Sequence, residues 1–182
     1  LYATLQLLHV RAYLEYEADF WVGILAVFLR HGAGVAFVWV LFGSVTEVAG
    51  WTRAEMLFLY ALLVLPRGLV EVLANGQYRL PGMINNGELD RLLVRPVSPV
   101  VQVLTQSSAI HGFGSIVLGF VILGYAFGEL HLDWGVGQAL LLAATIASSV
   151  LLITSITLAT NAIGFWAPTA TGALPNFVNN LM

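Results

Sequence analysis

The sequence predicts an all-α, polytopic integral membrane bundle, and three observations carry that prediction. Of 182 residues, 59% are apolar and only 9% are charged, against about 25% charged in ordinary soluble domains. Four apolar windows are long enough to cross a bilayer. Within them apolar residues run continuously instead of alternating, which argues against the transmembrane β-barrel pattern. Seven Arg and ten Asp or Glu cannot supply the polar coat that a water-soluble chain of this length needs, so most of the surface faces lipid. The net charge of -3 and the lack of a basic run leave no electrostatic footprint for nucleic acid. Cysteine is absent, which removes disulfides, thiolate metal sites and cysteine nucleophiles and leaves the redox compartment unread.

A hydrocarbon core about 30 Å thick needs about 20 helical residues. Windows of that kind cover residues 20–44, 53–75, 110–127 and 136–165, in a single transmembrane domain comprising residues 1–182. The first window holds Arg30 and His31 near its middle, which is the main objection to a span. Its thirteen Leu, Ile, Val or Phe residues contribute about -0.3 to -0.6 kcal/mol each toward insertion, against about +2.5 to +3.5 kcal/mol for one central Arg. Insertion is favoured. The second window has a legible start, because Thr52 followed by Glu55 forms a capping box and Trp51 suits the interfacial belt. Its Leu65-Pro66 step is expected to bend it.

Orientation follows from the arginines. Arg79, Arg91 and Arg95 lie between the second and third windows, Arg11 lies before the first, and the loop from Glu129 to Gly135 has none. The positive-inside bias therefore puts the N-terminus and residues 77–99 in the cytoplasm, with Glu47 and His131 on the far side. Arg53, near the far face, departs from that bias. No secretory signal is visible, since Arg11, Glu15, Glu17 and Asp19 follow the first apolar residues without a small-residue cleavage site.

Small residues recur four apart in Gly32/Ala36, Ser115/Gly119, Ala143/Ala147, Ala144/Ser148 and Thr145/Ser149, a spacing that lets helix backbones approach closely. The fourth window adds Thr154, Ser155, Thr157, Thr160 and Asn161. These residues suit helix packing with back-bonded hydroxyls, or a polar stripe along a translocation path.

Residues 77–99 are richer than a plain connection requires. Gly87 suits a turn, and Glu88 to Leu93 can form a short helix with Leu89, Leu92 and Leu93 on one side and Asp90 and Arg91 on the other. Pro96 stops it, and Ser98 then caps a new helix with Pro99 at its first position. Such a piece can lie on the membrane surface or present a face to a cytoplasmic partner.

The run Gly87-Glu88-Leu89-Asp90, through Leu92-Leu93 to Arg95-Pro96-Val97-Ser98-Pro99 and on to Gln102-Val103-Leu104, resembles the permease subunits of type-2 ABC transporters, in particular a bacterial subgroup of ABC-2 type permeases. Supporting matches are Tyr16-x-Ala18-Asp19-Phe20, Gly50-Trp51-Thr52 and Phe165-Trp166, so the likeness covers nearly all of the chain. Two departures stand out: Glu17 occupies a position where a basic residue is expected, and the family has six spans where four are visible. The expectation is a partial chain, since Met182 falls in an apolar, turn-rich stretch. The resemblance implies an exporter-type, multi-pass protein of the bacterial inner (plasma) membrane, working as a homo- or heterodimer of permeases. A separate cytosolic ABC ATPase would drive each permease and bind ATP and Mg, leaving no cofactor in this subunit. It further implies that the segment between the second and third spans is a coupling helix docking on that ATPase. Here the role falls to Gly87, Glu88, Leu89, Asp90, Arg91, Leu92, Leu93, Arg95 and Pro96, with Leu89, Leu92 or Leu93 as apolar anchors. The sequence agrees on one point, because it has no Lys and no phosphate-loop motif.

Arg67 and Glu71 lie one helical turn apart and can pair on one face of the second span. That pair suits a structural couple or a gating role. Arg30 and His31 sit deeper, where ionisable groups mark cavity-facing or interface positions unless they snorkel along a tilted helix. His9, His111 and His131 lack partners at ligand spacing, so no metal site is expected, and His131 with Asp133 reads as solvated loop surface. No Ser sits in a nucleophile elbow. An ion-coupled secondary transporter or channel is the alternative reading, and a membrane scaffold is a third. Against the alternative, no Asp or Glu lies at the centre of a span apart from the off-centre Glu71.

Overall fold

Four long helices form an antiparallel bundle in the computed structural model, which describes residues 17–166 except 108, 110 and 131–134. Expectations attached to His9, Arg11, Tyr16, His131 and Asp133 lie outside those residues. Helix α1 covers Glu17–Leu41. A tight hairpin of β1 (Glu47–Val48) and β2 (Trp51–Thr52) follows, then α2 (Arg53–Leu73). The connection from α2 folds as a 3-10 turn (Asn75–Arg79), α3 (Leu80–Asn85), α4 (Glu88–Leu93) and α5 (Pro99–Leu104). Helices α6 (His111–Leu130) and α7 (Val136–Ala162) complete the chain of spans, with a 3-10 turn at Ile163–Phe165. All four long helices are long and apolar enough to cross a membrane.

The boundaries follow from local chemistry. Helix α1 ends three residues before the expected window does, because the chain breaks at Phe42 and Gly43 to enter the hairpin. Ala49 and Gly50 both have positive φ, the twist that a two-residue hairpin loop requires. The capping box is present at the start of α2: the Thr52 backbone N–H donates to Glu55 Oε2 at 2.8 Å, and Thr52 Oγ1 accepts from the Glu55 N–H. The helix continues through Pro66. Pro99 opens α5 as expected, although the Ser98 hydroxyl makes no cap and Thr105 closes the far end, donating to the Val101 carbonyl.

Helices α2 and α6 form the tightest contact in the fold. Gly68 and Gly112 face each other there, and a Cβ on either would come within about 3 Å of the other's carbonyl oxygen. Gly119 packs against Leu65 in the same way, while Ser115 is buried one turn earlier. The apolar core is built on this contact from Leu57, Ala61, Leu65, Ile122, Leu123 and Ala126. Of the expected small-residue pairs, Ser115/Gly119 therefore packs within the bundle. Gly32, Ala36, Ala143, Ala144, Ala147 and Ser148 remain exposed on its outer faces. Helix α7 is the most exposed span: Leu142 and Ile146 pack against that core, and Thr157 and Asn161 are its buried residues.

The far end of the bundle carries a charged clasp. Arg53 donates to Glu129 at 3.2 Å and lies 4.4 Å from the centre of the Trp39 ring, while the Tyr125 hydroxyl donates to Glu129 at 2.8 Å. Arg53 is thus paired and stacked, which accounts for a cation on the face that the arginine bias leaves poor.

Candidate functional site

Two places gather the residues singled out by the sequence. The first is the compact unit formed by residues 75–104 at one end of the bundle. Leu80, Met83, Leu89, Leu92 and Val103 form its own apolar cluster, with Ile84, Leu158 and Ala162 packed against it. Leu158 and Ala162 belong to α7, so the unit is seated on the end of that span. Polar contacts lock the seat: the Asn161 side chain donates to the Gln77 carbonyl at 2.8 Å, and the Gln102 side chain donates to the carbonyls of Val97 at 2.8 Å and Leu92 at 3.0 Å. Gly76 is pressed against α5 so closely that a Cβ would overlap the Val103 carbonyl oxygen and lie 2.9 Å from the Gln106 nitrogen.

Gly87 precedes α4 in the left-handed region at φ 69, which only glycine adopts without cost. The helix Glu88–Leu93 forms as expected, but its apolar side does not face outward. Leu89 and Leu92 are buried against α3, α5 and the end of α7 and are not available as anchors for another protein. The physical reason is that α3 and α5 fold back over that side and close a core the sequence reading assigned to a partner. What α4 presents outward is Glu88, Asp90, Arg91 and Leu93, continued by Val94, Arg95 and Pro96. Leu93 is 57% and Val94 85% exposed, an apolar pair rimmed by charge.

The second place lies between α1 and α2. Arg30, His31, Arg67 and Glu71, met in the sequence as two separate pairs, come together there. Glu71 Oε1 lies 3.6 Å from Arg30 Nη2 and 4.0 Å from Arg67 Nε. His31 points inward and is buried. Tyr60 Oη donates to the His31 carbonyl at 3.3 Å and lies 3.2 Å from His31 Nδ1. On the other side of the ring His31 Nε2 lies 3.4 Å from Arg30 Nη2 and 3.5 Å from Ser115 Oγ. A groove of about 280 Å³ opens beside this network, lined by Arg30, His31, Tyr60, Leu63, Val64 and Arg67.

The network separates two residues that are adjacent in sequence. His31 joins three spans through Tyr60 and Ser115, whereas Arg30 bends toward Glu71, two residues from the end of α2. Sequence reasoning missed Tyr60 and named Ser115 only as a packing residue, because neither is unusual at a helix interface. It missed the Arg30 to Glu71 pair because no spacing rule links residues on different spans. Among the described residues no three His, Asp or Glu side chains gather as a metal site would require, and His111 is an exposed residue at the start of α6.

Comparison with known proteins adds a family. No curated protein and no solved structure matches the chain significantly. A family model described as ABC-2 family transporter protein matches residues 29–182. That match runs from the middle of α1 through the unit on α7 and the last two spans, and the chain therefore belongs to the ABC-2 family of transporter membrane proteins, as a multi-pass membrane component of a transport system.

Proposed function

We propose that this chain is a permease subunit of exporter type in the bacterial inner membrane, paired with a second permease and driven by a separate cytosolic ABC ATPase. The observation that carries this reading is the folded unit of residues 75–104. A connection between two spans needs only a few residues, yet this one builds its own apolar core, docks on α7 and turns a charged face with an apolar centre outward. An apolar anchor ringed by charges is the form that a docking surface takes. Its seat on α7 and its continuity with α2 give a mechanical route: force on Leu93 and Val94 is transmitted through Leu89 and Leu92 to Leu158 and Ala162 in the span. ATP and Mg belong, on this reading, to the partner ATPase.

An ion-coupled transporter has less support. Glu71 lies near the end of α2 and is shared by two arginines, which suits a fixed counter-charge better than a relay at the membrane centre.

The reading requires the 75–104 unit and the N-terminus to face the cytoplasm. With single cysteines at Gly87 and Glu47 in intact cells, an impermeant thiol reagent should label the Glu47 position and spare Gly87 until the membrane is opened. Labelling of Gly87 from outside would overturn the proposed orientation and remove the ATPase from reach of its docking face.

A further inference from the structure

The groove between α1 and α2 carries more positive charge than the protein itself neutralises. Two guanidinium groups share one carboxylate, and both stand off from it at 3.6 and 4.0 Å, beyond the 2.7–2.9 Å of a charge-assisted hydrogen bond. Glu71 lies behind the groove and is not part of its wall, whereas Arg30 and Arg67 line it with side chains 50% and 41% exposed. Among the described residues Glu71 is the carboxylate that both arginines reach. The pair thus retains a net positive charge on half-exposed, planar guanidinium groups beside the apolar wall of Leu63 and Val64.

The height of the site matters. Arg30 belongs to the middle of α1, but its guanidinium reaches Glu71, which lies only about 3 Å along the axis from the end of α2. Both cationic groups are therefore carried toward the membrane boundary at the 75–104 end, the level at which phosphate groups of lipids lie. Tyr60 and the buried His31, in contact with each other, complete the groove's wall.

We propose that Arg30 and Arg67 form an oxyanion site that takes one phosphate group, with Glu71 as an internal competitor that weakens it. The phosphate is that of an anionic lipid or a soluble phosphate, and the site functions as a binding site whether or not an ATPase is attached. Removing Glu71 leaves both forks free, so the site tightens, whereas a merely structural ion cluster would lose its order and gain nothing.

The full-length protein and its Arg30→Gln, Arg67→Gln, Arg30→Lys and Glu71→Gln variants are reconstituted in vesicles of equal parts phosphatidylglycerol and phosphatidylcholine, and retained lipid is counted by native mass spectrometry. A second arm measures binding of radiolabelled inorganic phosphate to delipidated protein by equilibrium dialysis. A lipid source predicts preference for phosphatidylglycerol, about fivefold lower when either Arg becomes Gln, kept in Arg30→Lys and raised in Glu71→Gln. The same order of variants in the phosphate arm alone assigns the site to a soluble anion. If neither probe distinguishes the Gln variants from the parent, or if Glu71→Gln loses binding as the Arg variants do, the oxyanion site is wrong. Arg30→Lys retains the charge if Arg30→Gln fails to fold, so the outcome stays decisive.

Discussion

Leu89→Asp is expected to unseat residues 75–104 from the bundle while leaving the four spans inserted. Leu89 is 8% exposed and sits among Leu80, Met83, Leu92 and Val103 over the end of α7. Truncating such a leucine to Ala costs about 2–5 kcal/mol, and a carboxylate there adds the penalty of an unpaired buried charge. The total, about 4 kcal/mol or more, exceeds what a small unit of a few short helices can hold. The spans keep their apolar windows and their core of Leu57, Ala61, Leu65, Ile122, Leu123 and Ala126, so insertion persists. Limited trypsinolysis of purified protein reads the effect directly, since Arg79 and Arg91, each followed by Leu, lie in the unit. Cleavage at Arg79 and Arg91 should accelerate by at least tenfold, the factor that about 1.4 kcal/mol of lost protection produces. Equal resistance in the variant and the parent would mean that Leu89 is not part of a buried core.

Gly76→Ala is expected to have the second largest effect. The added methyl would collide with the backbone carbonyls of Val103 and Leu104 and the Gln106 nitrogen, all main-chain atoms that cannot swing aside. Relieving the overlap requires α5 to move away from the 3-10 turn at Asn75–Arg79, which breaks the packing of Val103 and strains the Gln102 contacts. Overpacking of this kind costs about 3 kcal/mol. Gly82→Ala is the matched control, because a Cβ there meets nothing within 4 Å on the exposed side of α3, and it should be neutral or stabilising by up to about 1 kcal/mol. Midpoints of thermal unfolding in detergent separate the two. Equal midpoints would contradict the close approach of the turn to α5.

The four spans, the capping box at Thr52 and Glu55, the turn at Gly87 and the helices at Glu88 and Pro99 are legible in the sequence, because each depends on neighbours within a few residues. The hairpin at Ala49 and Gly50 is not, since Ala gives no warning of positive φ. Gly68, Gly112 and Gly76 matter for the same kind of reason: their role is set by a backbone that arrives from elsewhere in the chain. The orientation of Leu89 and Leu92 shows the limit most clearly. Amphipathicity says that a helix has an apolar side, but whether α3, α5 and α7 or another protein covers that side is decided by tertiary packing. The Arg30, Arg67 and Glu71 cluster is likewise half visible. Its helical pair follows from spacing, and its third member from the crossing of α1 and α2.

On the proposed function, a cytosolic ATPase grips the outward face of α4. The most direct measurement is ATPase co-purification and substrate-stimulated hydrolysis in the double variant Leu93→Asp with Val94→Asp. Both side chains are exposed, so the bundle and the 75–104 unit should stay folded and as trypsin-resistant as the parent. Charging an apolar docking centre costs about 2 kcal/mol or more in binding, a loss of about thirtyfold in affinity. Hydrolysis and co-purification are expected to fall together, with the permease at normal levels in the membrane. Normal hydrolysis and normal ATPase retention in that variant would mean that no ATPase docks on α4.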